Sequence, residues 1–239
     1  MDSDDEITLS NHALAALQEF KKEEKDRLET FEKLYKQSEE KFEERKLTID
    51  LFQEDWQLSQ FWYSDETSNI LGKALLEGAD SDTVIVIASA PAVYAAILNF
   101  PEEDLPTKHI YLLEFDNRFK VLGKDHFFQY DYNFPDQIPE ELRNKCHRLL
   151  IDPPFLEEEC QNKSAQAARN LLVKDKNLKT KEGDLQFKLI SSTGERMNEV
   201  VKKNYPETKV TNFYPEHKNG LSNEFRCYAS FECSYWKFE

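Results

Sequence analysis

Asp152-Pro153-Pro154-Phe155 directly follows the apolar run Leu149-Leu150-Ile151, so an acid and two prolines end a buried strand and an aromatic comes next. Proline has no amide hydrogen and cannot extend a central sheet, which puts the motif at the sheet's lip. The set suits methyl transfer to an amino nitrogen. Such a nitrogen must be held by acceptors with its lone pair facing the methyl, and an Asp carboxylate plus a proline-stiffened carbonyl are suitable acceptors. The aromatic can stack on a flat base or face a cationic amine. Alone, the four residues also make an ordinary strand-to-loop turn, and they point to adenine as readily as to lysine.

Other polar residues gather at equivalent places. Ser89-Ala90-Pro91 ends the β-branched run from Thr83 to Ala88, Glu114 and Asp116 end the run from His109, and Asp131 follows Phe127 to Tyr130. In open α/β sheets a ligand lies beyond the carboxyl ends of the strands, where strand order reverses. An acid after the second strand can accept both hydroxyls of a ribose, with Asp116 favoured slightly over Glu114, while amides after the first strand face the rest of a nucleoside. The first loop has neither GxGxxG nor GxxxxGK[ST], so no pyrophosphate cradle is evident. S-adenosylmethionine carries no phosphate and is disfavoured least. Upstream, residues 56–64 hold four aromatics in nine positions. Gln60, Phe61, Trp62, Tyr63 and Ser64 are read as a cofactor lid, although some of these rings must cover the core.

The elements that position these residues alternate. An amphipathic helix runs from about Asp65 to Glu77, a second passes through Val93, Tyr94, Ile97 and Leu98, and a third runs from about Glu157 to Val173. Arg148 to Ile151 and Phe187 to Ser191 are the fourth and fifth strands. Lys209 to Tyr214 and Glu224 to Glu232 form a closing antiparallel pair. This pattern argues for an α/β, doubly wound sheet with helices on both faces and a C-terminal hairpin. Residues 1–50 are expected to be an acidic tail and helical arm, because Leu14, Leu17, Leu28, Phe31 and Leu34 recur at helical spacing and residues 11–46 lack Gly and Pro. Residues 51–239 are expected to be the catalytic domain. The lysine-rich stretch 174–186 reads as an exposed loop.

A formal charge of −15 opposes a nucleic-acid partner, whose backbone is held by Lys and Arg contacts. It suits a basic protein substrate. Cys146, Cys160, Cys227 and Cys233 form no CxxC pair and have no histidine at zinc spacing, so reduced thiols and no metal are expected. No apolar run reaches 18 residues and the N-terminus is acidic, so a soluble, intracellular protein without a membrane partner is expected.

Asn11-His12-Ala13-Leu14-Ala15-Ala16-Leu17, the string Trp56 to Tyr63, Ser89 to Tyr94, Asp152 to Leu156 and Asn223-Glu224-Phe225-Arg226-Cys227-Tyr228 together closely resemble one family. It is the eukaryotic protein-lysine methyltransferases that act on translation elongation factor 1-alpha, the fungal branch in particular, once labelled amino-adenine methyltransferases. The resemblance runs from about residue 10 to the end. It implies a seven-strand, Rossmann-like S-adenosylmethionine-dependent methyltransferase fold, (tri)methylation of one lysine of the elongation factor and a cytoplasmic location; a monomer is expected. Asp152 and Pro153 would then orient the amine, with Pro154 stiffening the motif and Phe155 beside rings from Trp56, Phe61, Trp62 or Tyr63. Phe155 stands where Tyr is frequent. A nucleic-acid adenine methyltransferase, or a non-catalytic module with the same fold, are the rival readings.

Overall fold

The computed structural model describes residues 22, 49–55, 60–220 and 224–239, almost all within one compact unit, Lys46–Glu239. The expected arm, apart from Lys22, Ile49 and Asp50, lies outside the described residues, as do Trp56 and Asn223. The elements are α1 (Asp65–Leu76), β1 (Ile85–Ala88), α2 (Pro91–Leu98), β2 (Ile110–Glu114), α3 (Lys120–Gly123), β3 (Phe127–Gln129), β4 (Arg148–Ile151), α4 (Glu158–Leu171), β5 (Lys188–Gly194), α5 (Asn198–Asn204), β6 (Lys209–Val210) and β7 (Phe225–Ala229). The sheet has seven strands in the order β3-β2-β1-β4-β5-β7-β6. The first five strands are parallel, and β7 runs against both β5 and β6.

Strand alternation distributes the core over two layers. Val86, Ala88, Leu113, Leu149, Ile151 and Leu189 face α4 and α5, where Ala165, Ala168, Leu171 and Val201 complete one cluster. The alternate residues Ile85, Ile87, Leu112, Leu150 and Ile190 are also fully buried, on the face where α1 and α2 pack. The two helices approach closely at Gly72, where a Cβ would lie 2.9 Å from Cγ1 of Ile97. Below them Arg148 is completely buried. It donates to the carbonyls of Leu75, Glu77 and Gly78 at 2.6, 2.8 and 2.7 Å, and so satisfies the C-terminal end of α1.

The registers pair Ala88 with both Leu113 and Ile151, so β1, β2 and β4 end level. Ser89, Glu114 and Asp152 therefore emerge together at the point where strand order reverses. Three local departures from the sequence reading stand out. α5 was not foreseen, the closing strand β6 is only two residues long, and β5 continues through Gly194. The stretch 174–186 has neither helix nor strand, yet Lys181 donates its backbone N–H to Asp80 at 2.9 Å and pins the loop to the β1 entry. All four cysteines are buried free thiols. Among the described residues, no helix is long and apolar enough to cross a membrane, and no group of three or more His, Cys, Asp or Glu is placed to hold a metal.

Candidate active site

A cavity of about 550 Å³ opens above the carboxyl ends of β1, β2 and β4. It brings together Ser89, Ala90, Pro91, Glu114, Asp131 and the whole tetrapeptide Asp152 to Phe155 with Gln60, Phe61, Trp62 and Tyr63. Two residues assigned to it from sequence lie elsewhere. Ser64 is the N-cap of α1, its hydroxyl accepting the Thr67 N–H at 3.1 Å, because a helix start needs an acceptor for its unpaired amides. Asp116 does not line the cavity either.

The two acids after β2 have separate tasks. Asp116 accepts the Arg118 N–H at 2.9 Å, the Arg118 Nε–H at 2.7 Å and an amide proton of Gln60 at 3.1 Å. Burial would raise its carboxyl, but these bonds together hold it below its ordinary value. Glu114, only 6% exposed, lines the cavity. Its Oε1 accepts the N–H groups of Phe115 and Asp116 at 2.9 and 3.2 Å, which fixes the plane of the carboxylate. Burial pushes Glu114 up to about 7, with those backbone bonds opposing. Asp116 thus braces the loop and Gln60, while Glu114 lines the cavity.

The first loop needs no glycine because Ser89 itself adopts the left-handed conformation, with φ 58°. This conformation is costly for a residue with a Cβ and marks a turn fixed by its surroundings. The Ser89 N–H donates to the Leu113 carbonyl at 2.9 Å, and Pro91 then opens α2.

Trp62 is largely core cover, 5% exposed, edge-on to Phe119 at 5.5 Å and donating its indole N–H to the Phe52 carbonyl at 2.8 Å. Tyr63 is 1% exposed and donates to Oδ2 of Asp152 at 2.6 Å. Asp152 is partly open to the cavity, and burial pushes its carboxyl up to about 7, with Tyr63 opposing and the nearby Glu114 adding to the rise. Phe155 stands edge-on to Tyr132, ring centroids 5.8 Å apart.

Among the cavity residues that the sequence reading did not assign to the site are Tyr132, Arg196, His217 and Phe225. His217 lies in a turn-rich segment with no motif of its own. Its ring packs on Tyr63 at 4.7 Å and meets Phe225 edge-on at 4.6 Å, and burial pushes its imidazole down to about 4. The backbone explains its position. The Ser64 N–H donates to the Glu216 carbonyl and the Lys218 N–H to the Trp62 carbonyl, each at 2.8 Å, zipping residues 62–64 to 216–218. Among the described residues, Arg196 is the one Lys or Arg lining the cavity, against four acids, Glu114, Asp131, Asp152 and Glu157.

This sheet order, with its reversed β7 and a loop-lined cleft at the β1/β4 switch point, is the fold of S-adenosylmethionine-dependent methyltransferases. A branched-chain polyamine synthase from Thermus thermophilus shares it, with a TM-score of 0.51 and 10% identity over 80% of this chain and 64% of that one. Residues 54–233 match a family described as "Probable N6-adenine methyltransferase". The protein-lysine N-methyltransferase EFM5 of Saccharomyces cerevisiae is 60% identical over 97% of this chain and 94% of its own. The human EEF1A lysine methyltransferase 1 is 34% identical over 97% and 95%. The chain belongs to this family of eukaryotic protein-lysine N-methyltransferases.

Proposed function

We propose that the protein transfers methyl groups from S-adenosylmethionine to the ε-amino group of a lysine in translation elongation factor 1-alpha, acting in the cytoplasm as a monomer. The observation that carries this reading is the single cavity uniting the Asp152 motif, the Glu114 carboxylate and several rings among four acids and one arginine. Acids around a cavity repel phosphate and attract cations, and both a sulfonium and a lysine are cations. The names of the relatives supply the substrate.

The residues fit the cofactor on a structural ground. Glu114 is a buried acid that lines the cavity with one oxygen tied to backbone amides, a suitable acceptor for a ribose diol. The turn Ser89 to Pro91 gives the rest of an adenosine a close backbone approach, and Gln60 and Phe61 cover it. When bound, the cofactor supplies a methyl already activated on sulfur.

The protein's task is then to present a neutral amine in line. A free lysine has a pKa of about 10.4, so the rings that exclude water must favour the uncharged form. Tyr63 occupies Oδ2 of Asp152, which leaves Oδ1 to accept an N–H of the amine, and the Pro153 carbonyl accepts a second. The lone pair then points away from both acceptors. An ionised Asp152 also favours the ammonium, so it is an orienting acceptor rather than a strong base. Phe155 and Tyr132 form one wall and Tyr63, His217 and Phe225 another, against which the methylated nitrogen can rest.

The rival is adenine methylation, which the family description favours and the charge of −15 opposes. Labelled S-adenosylmethionine, incubated with recombinant enzyme and either purified elongation factor or nucleic acid, separates them. Label in the factor, lost in Asp152→Ala at saturating cofactor, is expected. Label in nucleic acid alone, or near wild-type labelling by Asp152→Ala, would overturn the assignment.

A further inference from the structure

Three side chains far apart in sequence meet behind the reacting centre. Tyr63 precedes α1, Asp152 follows β4 and Ser192 lies within β5. The Tyr63 hydroxyl is 2.6 Å from Oδ2 of Asp152 and 2.7 Å from the Ser192 hydroxyl, and Ser192 is fully buried. A phenol has one proton. Facing a carboxylate, it must donate to Asp152 and accept from Ser192, so the direction of both bonds is fixed.

We propose that Tyr63, backed by Ser192, is a positioning residue of the reaction: it ties down Oδ2 of Asp152 so that Oδ1, still bearing the carboxylate's charge, meets the substrate amine. The inference rests on the reading of Asp152 as the orienting acceptor. Its chemical content is that a protonated Asp152 would become a donor and compete for the amine's lone pair, whereas the relay favours the ionised form. The His217 ring and the zipped backbone of residues 62–64 and 216–218 hold Tyr63 from the other side, so the loop before β7 also sets where Asp152 points.

The groups around the Tyr63–Asp152 pair make the effect readable. Glu114 at the end of β2 opposes its ionisation. Cys160 on α4 and Cys227 on β7 are pushed up to about 11 and about 12 by burial and stay uncharged near neutrality. His217 is neutral. Burial, and then the Asp152 charge, push the Tyr63 phenol well above its ordinary value, so it remains a donor. Tyr63 therefore supplies the hydrogen bond that opposes the rise of Asp152.

The test is the pH profile of methylation of purified elongation factor at saturating cofactor, for wild type, Tyr63→Phe, Ser192→Ala and Asp152→Asn. A hydrogen bond to a charged group is worth about one pH unit or more. Tyr63→Phe should move the acid limb of kcat up by about one unit and cut the rate at pH 7 by roughly fivefold, recovering towards pH 9 with KM for the factor little changed. Ser192→Ala, which leaves the phenol in place, should move the limb the same way by less. A loss in Tyr63→Phe and Ser192→Ala that is uniform across pH, with the limb unmoved, overturns the proposal and reduces the pair to packing. If Asp152→Ala, run beside these variants, retains activity, the underlying reading of Asp152 falls. If Asp152→Ala is inactive while Tyr63→Phe keeps the wild-type profile, only the relay falls. Glu114→Gln run in parallel must leave the shift in place, because Glu114 is also raised to about 7.

Discussion

Replacing Glu114 offers a quantitative test of the cofactor side. Its Oε1 is held by the Phe115 and Asp116 amides at 2.9 and 3.2 Å, which leaves Oε2 for a ligand in the cavity that Glu114 lines. Two ribose hydroxyls donating to a charged acceptor would each contribute about 1.5–3 kcal/mol, less what water supplies in the open cavity. Glu114→Ala should therefore lose about 3 kcal/mol, or roughly a hundredfold in Kd for S-adenosylmethionine by calorimetry at pH 8.5. Asp116→Ala releases Arg118 and Gln60, but no cavity-facing charge, and should cost less than about fivefold. The pH dependence follows from the same carboxylate. Diol donors require it ionised, so binding lowers its pKa and affinity is full above about 7. Below that the affinity should fall by about tenfold per pH unit, and Glu114→Gln should abolish the slope. Asp116→Ala weakening binding as much as Glu114→Ala, or an unchanged slope in Glu114→Gln, would refute the reasoning.

Asp152→Asn should remove catalysis yet raise thermal stability at pH 8. A carboxyl raised to about 7 by burial holds its proton in the folded state where the unfolded chain has lost it, so stability falls as pH climbs from about 4 through 7. Asn avoids that cost, put at about 2 kcal/mol after allowing for cavity water, and the two melting curves should converge near pH 4; a wild type more stable at pH 8 would contradict this. Arg148→Met strands the carbonyls of Leu75, Glu77 and Gly78 and should cost about 3–5 kcal/mol in urea unfolding, and a loss below about 1 would show that they find other donors. Gly72→Ala drives a methyl to 2.9 Å from Ile97 and should cost about 1–3 kcal/mol, a loss that Ile97→Ala in the same chain should partly cancel.

What the sequence revealed tracks where a local pattern is forced by burial. β1, β2 and β4 lie between two helical layers, so Val86, Ile87, Leu112, Leu149 and Leu150 read as continuous apolar runs, and the polar residues ending them stand out. α5 has no such signature: Asn198-Glu199-Val200-Val201-Lys202-Lys203-Asn204 buries Val201 and little else, and its two valines favour strands as much as helices. The choice between Glu114 and Asp116 was legible in principle. Asp116 precedes Asn117-Arg118-Phe119, where an Asp side chain caps a short turn and an arginine two residues on can pair with it, leaving Glu114 for other work. The Tyr63 to Asp152 bond joins side chains 89 residues apart, and the seat of His217 is set by a backbone pairing with Tyr63 about 150 residues away; neither could be read, because the segments carry no complementary pattern.

On the proposed reading the acids also bear on which amine the shared tetrapeptide takes. Asp152 to Phe155 would serve a neutral exocyclic amine or an alkylamine equally well in geometry. Its surroundings do not. Glu114 and Asp152 are both held near 7 at a cost in stability, and Asp131 and Glu157 line the same cavity with Arg196 as the one lysine or arginine among the described lining residues. A neutral base gains little from these charges, and its phosphodiester meets both them and the net −15 of the chain. A sulfonium and a lysine entering from a basic surface gain from every one of them. On the proposed reading the same field calls for desolvating rings: acids alone would keep the lysine charged and unreactive, and walls at Phe155 and His217 would supply the opposing push towards the free amine.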